Sequence, residues 1–99
     1  MQRVFQMKTL SLVLKKKWYD MIDSGAKKEE YREITSYWKK RMNNCRVRQY
    51  KTVTFYLGYA KNRPSMTFAL DRIMIDKGNY KWGAEPGKLY FVIKLGKRL

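Results

Sequence analysis

Leu10, Leu12 and Leu14 alternate with Thr9, Ser11 and Val13, a period of two that predicts a strand with one apolar face. The period then changes. Trp18, Met21 and Ile22 are spaced for one face of a short helix over Lys15 to Ser24. Gly25 suits the left-handed position that ends such a helix, because it has no Cβ to clash. From Lys27 to Ile34 the chain reads as extended. Thr35 or Ser36 can cap a second helix, in which Trp38 and Met42 fall one turn apart and face the core. Lys39, Lys40 and Arg41 fall near its negative end and match the dipole, and Lys39 and Lys40 read as solvated. Asn43 and Asn44 break it, and the basic stretch Arg46 to Gln49 fits neither period.

Lys51 to Leu57 alternates again, with Val53, Phe55 and Leu57 on one face. Gly58 to Pro64 reads as a loop. Ser65 to Asp76 is a long strand whose phase slips: Met66, Phe68 and Leu70 keep one parity, Ile73 and Ile75 the other. One extra residue near Asp71-Arg72, a β-bulge, explains the slip, and barrels need such bends to close. Lys77-Gly78-Asn79 turns the chain into a loop over Tyr80 to Gly87, and Leu89 to Leu95 is a last strand with Leu89, Phe91, Ile93 and Leu95 inward. The total is about five strands and two short helices, which means α+β or a small barrel.

Ninety-nine residues support one domain. Lys and Arg number 23 against 8 Asp and Glu, a net charge of +15. That excess points to a polyanionic partner, with nucleic acid ahead of a membrane surface or an acidic protein. There is no histidine, which excludes imidazole as base, acid or ligand, and the lone Cys45 makes neither a disulfide nor a metal site. No cofactor is implied. The apolar run Leu10 to Leu14 is too short to span a membrane, and the lysines after it are followed by no small-residue cleavage site, so the chain reads as cytoplasmic. Met7 offers a second start, which would make Met1 to Gln6 a loose N-terminal extension.

Charge gains detail in Gly25-Ala26-Lys27-Lys28-Glu29-Glu30-Tyr31-Arg32. On a strand, Glu30 and Arg32 point to one face with Cα atoms about 6.6 Å apart. They can hold each other and still present a second edge to a ligand. Lys27 stands at the strand entrance, and lysine shifts its pKa readily when partly buried. The plain alternative is a charged, solvated edge strand, since charge keeps edges from pairing with other chains. Lys15, Lys16 and Lys17 fall in the first turn of the first helix, where the dipole disfavours cations. They mark an anion site beside the strand or simply fan out into water.

Gly25, Lys27, Glu30 and Arg32 reproduce Gly-x-Lys-x-x-Glu-x-Arg, which resembles the signature of the ASCH domain family (activating signal cointegrator homology), relatives of the PUA domain. Met7-Lys8-Thr9-Leu10-Ser11-Leu12 looks like that family's first strand, and the resemblance runs from about Met7 to the end. It implies one ASCH-like domain over residues 1–99: a small PUA-like β-barrel with a charged cleft and an RNA-related role. Some ASCH-like proteins hydrolyse the acyl group of N4-acetylcytidine, and the resemblance implies for them a lysine working with a hydroxyl three residues later. Here that position is Glu30, so the nucleophile is replaced. A ribonuclease role is implied for other relatives.

Three groups are candidates for the chemistry. Lys27, Glu30 and Arg32 form a tentative catalytic set: Arg32 to clamp a phosphate, Glu30 to accept from a base or act as general base, Lys27 to donate to an oxyanion. Tyr56, Tyr59, Lys61, Arg63 and the Tyr80-Lys81-Trp82 loop interleave aromatics with cations, as a single-strand platform does, and Tyr56, Tyr59, Lys61, Arg63 and Trp82 join Lys15, Lys16, Lys17, Lys27 and Arg32 as nucleic-acid contacts. Glu85 is an isolated acid, either a partner for Lys27 across the cleft or an ordinary loop ion pair. The reading adopted is an RNA-binding domain for single-stranded or modified RNA. An RNA-directed hydrolase and a basic module for an acidic protein are the alternatives. Oligomeric state stays open.

Overall fold

The computed structural model describes residues 8–43 and 49–99. Its elements run β1 (Lys8–Leu14), α1 (Lys16–Asp23), β2 (Glu29–Arg32), α2 (Ser36–Met42), β3 (Tyr50–Leu57), β4 (Ser65–Lys77) and β5 (Leu89–Arg98), with a 3-10 turn Tyr80–Trp82 before β5. These are the five strands and two helices that the periodicities predict, in an α+β arrangement. The motif strand is shorter than the extended stretch suggested. Asn44, Cys45, most of the basic stretch 46–49, and the start of the chain through Met7 lie outside the described residues.

The sheet has strand order β1-β3-β4-β5-β2. β1 runs parallel to β3, and the remaining pairs are antiparallel. It curls into a half-barrel around the main core. Leu10, Leu12 and Leu14 lie opposite Val53, Phe55 and Leu57 across the β1–β3 ladder, and Phe68 and Met66 continue the layer on β4. Phe91 and Ile93 complete it from β5, and Tyr19, Ile22 and Met42 cover it from the helices. On α1 the buried pair is Tyr19 and Ile22, with Trp18 and Met21 only half-buried. The apolar stripe is thus rotated from the one expected, which frees Trp18 for the site below. Thr35 caps α2 by accepting from the Trp38 N–H at 3.2 Å.

The bulge is present. Leu70 lies opposite Leu95 and Arg72 opposite Lys94, so Asp71 is the extra residue on β4; a second irregularity, between Phe68 and Leu70, places the extra residue on β5. These offsets let the two long strands bend around the core. Past the bulge the prediction needs correction. Ile75 and Leu89 are exposed, because the far ends of β4 and β5 run on as a ribbon beyond the reach of β1 and β3. The other face of β5 is covered as well: Tyr90 and Val92 pack with Ala84, Tyr31 and Met74 in a second, small core.

β1 and β2 are the two edges of the sheet. No ladder joins them among the described residues. Instead Arg32 of β2 donates from Nη2 to the Val13 carbonyl of β1 at 3.2 Å. The seam of the half-barrel is therefore crossed by a motif side chain.

Candidate functional site: a buried ion chain at the seam

Gly25, at φ 85°, lets the chain double back after α1, and the Lys27 N–H then donates to the Met21 carbonyl at 3.0 Å. This turn directs the Lys27 side chain inward, where it is 2% exposed. Its ammonium lies 2.9 Å from Glu30 Oε1 and donates to the Trp82 carbonyl at 2.8 Å. It also stands 4.4 Å from the centre of the Trp18 ring, a cation–π distance. Glu30 is buried too, and its other oxygen, Oε2, lies 3.0 Å from Arg32 Nη2. A continuous chain results: Trp82 carbonyl, Lys27, Glu30, Arg32, Val13 carbonyl. Each carboxylate oxygen of Glu30 is held by a different cation, so the group is pre-organised without being neutral.

Burial pushes the Lys27 ammonium below its ordinary pKa and Arg32 adds to this, while Glu30 opposes both. Both named bonds of Arg32 use one terminal nitrogen, and its buried Nε has no hydrogen-bond partner among the described residues. Buried donors are nearly always paired, so this one is an uncompensated cost of seating the Arg32 guanidinium at the seam.

The chain forms the floor of a cleft of about 620 Å³. Trp18, Tyr31, Tyr59 and Trp82 wall it, and Lys15, Glu33 and Glu85 stand at its rim. The 3-10 turn is fitted to this wall. Gly83 has φ 103°, and a Cβ there would meet the Trp18 ring at 3.0 Å. Tyr31 anchors the same loop: its hydroxyl donates to Glu29 Oε1 at 2.8 Å and accepts from the Asn79 N–H at 2.9 Å. Burial raises the Tyr31 phenol far above its usual pKa, so it stays a neutral donor.

The sequence candidates divide. Lys27, Glu30 and Arg32 come together, with Lys15, Tyr59 and Trp82 around them. Lys16 is turned away to Asp20 at 2.7 Å, and Lys17 lies over the Trp18 ring at 4.7 Å without lining the cleft. Of the aromatic platform, only Tyr59 and Trp82 line the cleft. Arg63 folds onto the Tyr56 ring at 4.2 Å and donates to the Gly58 carbonyl at 2.9 Å, and neither Tyr56, Lys61 nor Arg63 lines the cleft. Glu85 lines it, but the carboxylate that meets Lys27 is Glu30. Trp18 and Tyr31 carry no sequence signal that marks them as site residues. A period-two reading sends Tyr31 to the face opposite Glu30, and a helical one sends Trp18 to the core.

Among the described residues no three His, Cys, Asp or Glu side chains gather as a metal site, and no helix is long and apolar enough to cross a membrane. Neither family models, curated proteins nor solved structures give a match to this chain.

Proposed function

We propose that this is an ASCH-like, PUA-related domain that binds single-stranded or modified RNA in the seam cleft. The observation that carries the reading is the Lys27–Glu30–Arg32 chain at the floor of an aromatic-walled cleft in a domain of net charge +15. The roles follow from burial. Lys27 is enclosed and positions Glu30. Glu30 offers its remaining lone pairs to a base amino group, and Arg32, the most exposed of the three, meets a phosphate or a base acceptor. Tyr59, 86% exposed at the mouth, offers a ring for a base to stack on. The hydrolase reading has one supporting observation, the lowered pKa of Lys27. Against it, neither Ser nor Thr lines the cleft; the hydroxyls there are the phenols of Tyr31, Tyr59 and Tyr90, and those of Tyr31 and Tyr90 are tied to the loop amides of Asn79 and Glu85.

The test is a titration of single-stranded RNA at several salt concentrations. Four neutralised phosphates give a slope of log affinity against log salt near −3, at about −0.7 per contact. Arg32→Ala is expected to weaken binding about tenfold or more, the loss of a charge-assisted hydrogen bond. Lys39→Ala, exposed and outside the cleft, is expected to change it less than about twofold. Equal losses would mean a diffuse field with no cleft. No binding at low salt would favour the acidic-protein partner. Incubated with N4-acetylcytidine, the protein is expected to release no cytidine; robust turnover would restore the hydrolase.

A further inference from the structure

The cleft does not end at Arg32. A second hollow of about 200 Å³ shares Val13, Arg32 and Tyr59 with it. A third, of about 290 Å³, shares Tyr37 and Arg41 with the second and reaches Lys40. The three lie in series, because each consecutive pair has lining residues in common.

Their chemistry changes along the way. The first hollow contains three carboxylates, those of Glu30, Glu33 and Glu85. The second and third contain none. In the second, the Arg32 and Arg41 guanidinium groups both stand over the Trp38 ring, at 5.3 and 5.6 Å from its centre. Arg41 also bonds the Tyr37 hydroxyl at 3.0 Å. It takes part in none of the ion pairs of the described residues, and stretches 1–7 and 44–48 contain no Asp or Glu. Rings therefore hold Arg41 in place without cancelling its charge. Arg41 lies in the last turn of α2, matched to the dipole as the sequence suggests, and the rings fix it there as well. A cation already ordered loses less entropy on meeting an anion.

Resting on the reading above, we propose that the ligand is a strand of at least two or three nucleotides rather than a lone nucleoside. One nucleotide occupies the first hollow. The sugar–phosphate backbone leaves over Arg32, and the following phosphates rest on Arg41 and Lys40 along α2. The acid-free hollows suit phosphodiesters, and the mixed first hollow suits the donor and acceptor edges of a base.

The experiment measures affinity for random-sequence single-stranded RNA pools of one, two, three and six nucleotides. Affinity is expected to rise about tenfold from the mononucleotide to the trinucleotide. Arg41→Ala, checked for an unchanged melting curve, is expected to remove most of that rise and leave mononucleotide binding within about twofold. It should also make the hexanucleotide salt slope shallower by about 0.7. Lys40→Ala, at an exposed position and checked in the same way for an unchanged melting curve, should act in the same direction more weakly, and Lys39→Ala should do nothing. Equal affinity at all lengths overturns the strand while leaving the cleft standing. So does Arg41→Ala weakening the mononucleotide as much as the hexanucleotide. Hexaglutamate binding as tightly as the hexanucleotide overturns it in favour of an acidic peptide, and no binding at any length overturns this proposal and the RNA reading together.

Discussion

Lys16 and Lys27 each hold a carboxylate within 3 Å, and the surface bond is the shorter: 2.7 Å to Asp20 against 2.9 Å to Glu30. Their surroundings differ far more. The Lys16–Asp20 side chains are 76% and 53% exposed, the Lys27–Glu30 side chains 2% and 7%. Water screens the first pair, which can break with little consequence. The second has lost its water, so each ion depends on its partner, on the Trp82 carbonyl and on Arg32. Distance alone would rank them the wrong way round. A buried chain of this kind is no strong source of net stability, since desolvation offsets most of the attraction. What it does supply is a fixed carboxylate and a fixed guanidinium at the seam.

The sharpest way to break this contrast is Glu30→Gln. It leaves Lys27 buried with Arg32 and no countercharge, and is expected to lower stability by about 3–5 kcal/mol, the usual range for breaking a buried pair. In a domain of ordinary marginal stability that is a large share of the total. Urea unfolding reads it as a lower midpoint at unchanged slope. Asp20→Ala at the surface pair is expected to leave the midpoint where it is. Similar small shifts at both sites would show that the buried chain is screened like the exposed pair.

A smaller effect belongs to the loop that supplies the Trp82 carbonyl. Gly83→Ala puts a Cβ at positive φ and against the Trp18 ring at 3.0 Å, and is expected to lower stability by about 1–3 kcal/mol. Gly87 is also at positive φ but has nothing within 4 Å of its Cβ position. Gly87→Ala is therefore expected to lose less, and to leave RNA affinity untouched where Gly83→Ala weakens it by displacing the wall of the cleft. Equal effects on affinity would mean that the turn plays no part in the site.

The motif and the core could be read from the chain because both rest on short periods. Leu10, Leu12 and Leu14 announce a one-faced strand, and the parity change around Asp71 announces a bulge because no straight strand tolerates it. Glu30 and Arg32 share a face by the same rule. The rest depends on contacts distant in sequence. Lys27 meets a carbonyl 55 residues away, and the Asn79 amide meets Tyr31 48 residues away. Nothing local signals either. The second core had a signal that a one-faced reading passed over: Tyr90 to Ile93 is an unbroken apolar run, the mark of a strand covered on both faces. Arg63 shows the converse. Aromatics and cations close in sequence suggested a platform, but the guanidinium found its own neighbour Tyr56.

The smallest expected effect is the most direct probe of what burial does to Lys27. Because burial lowers its pKa in the folded chain, the unfolded chain holds the proton more tightly at pH values between that lowered value and the ordinary lysine value of 10.5. Stability rises with pH wherever the unfolded state binds more protons. The Lys27 contribution should therefore be unfavourable and flat below the lowered pKa, improve as pH climbs toward 10.5, and be flat again above it. Other groups titrate in the same range, so the quantity to follow is a difference: urea stability of the wild type minus that of Lys27→Met, from pH 7.5 to 10.5. The variant keeps the Arg32–Glu30 bond, and Tyr31, protonated in the folded chain, ionises near 10 in the unfolded chain of both proteins and so cancels in the difference. The difference is expected to move in favour of the wild type as pH rises. Lys16→Met, where the partner Asp20 raises the lysine pKa, should show no such gain. A difference for Lys27 that moves against the wild type would mean that the attraction of Glu30 outweighs burial, and that the floor of the cleft is wetter than its walls.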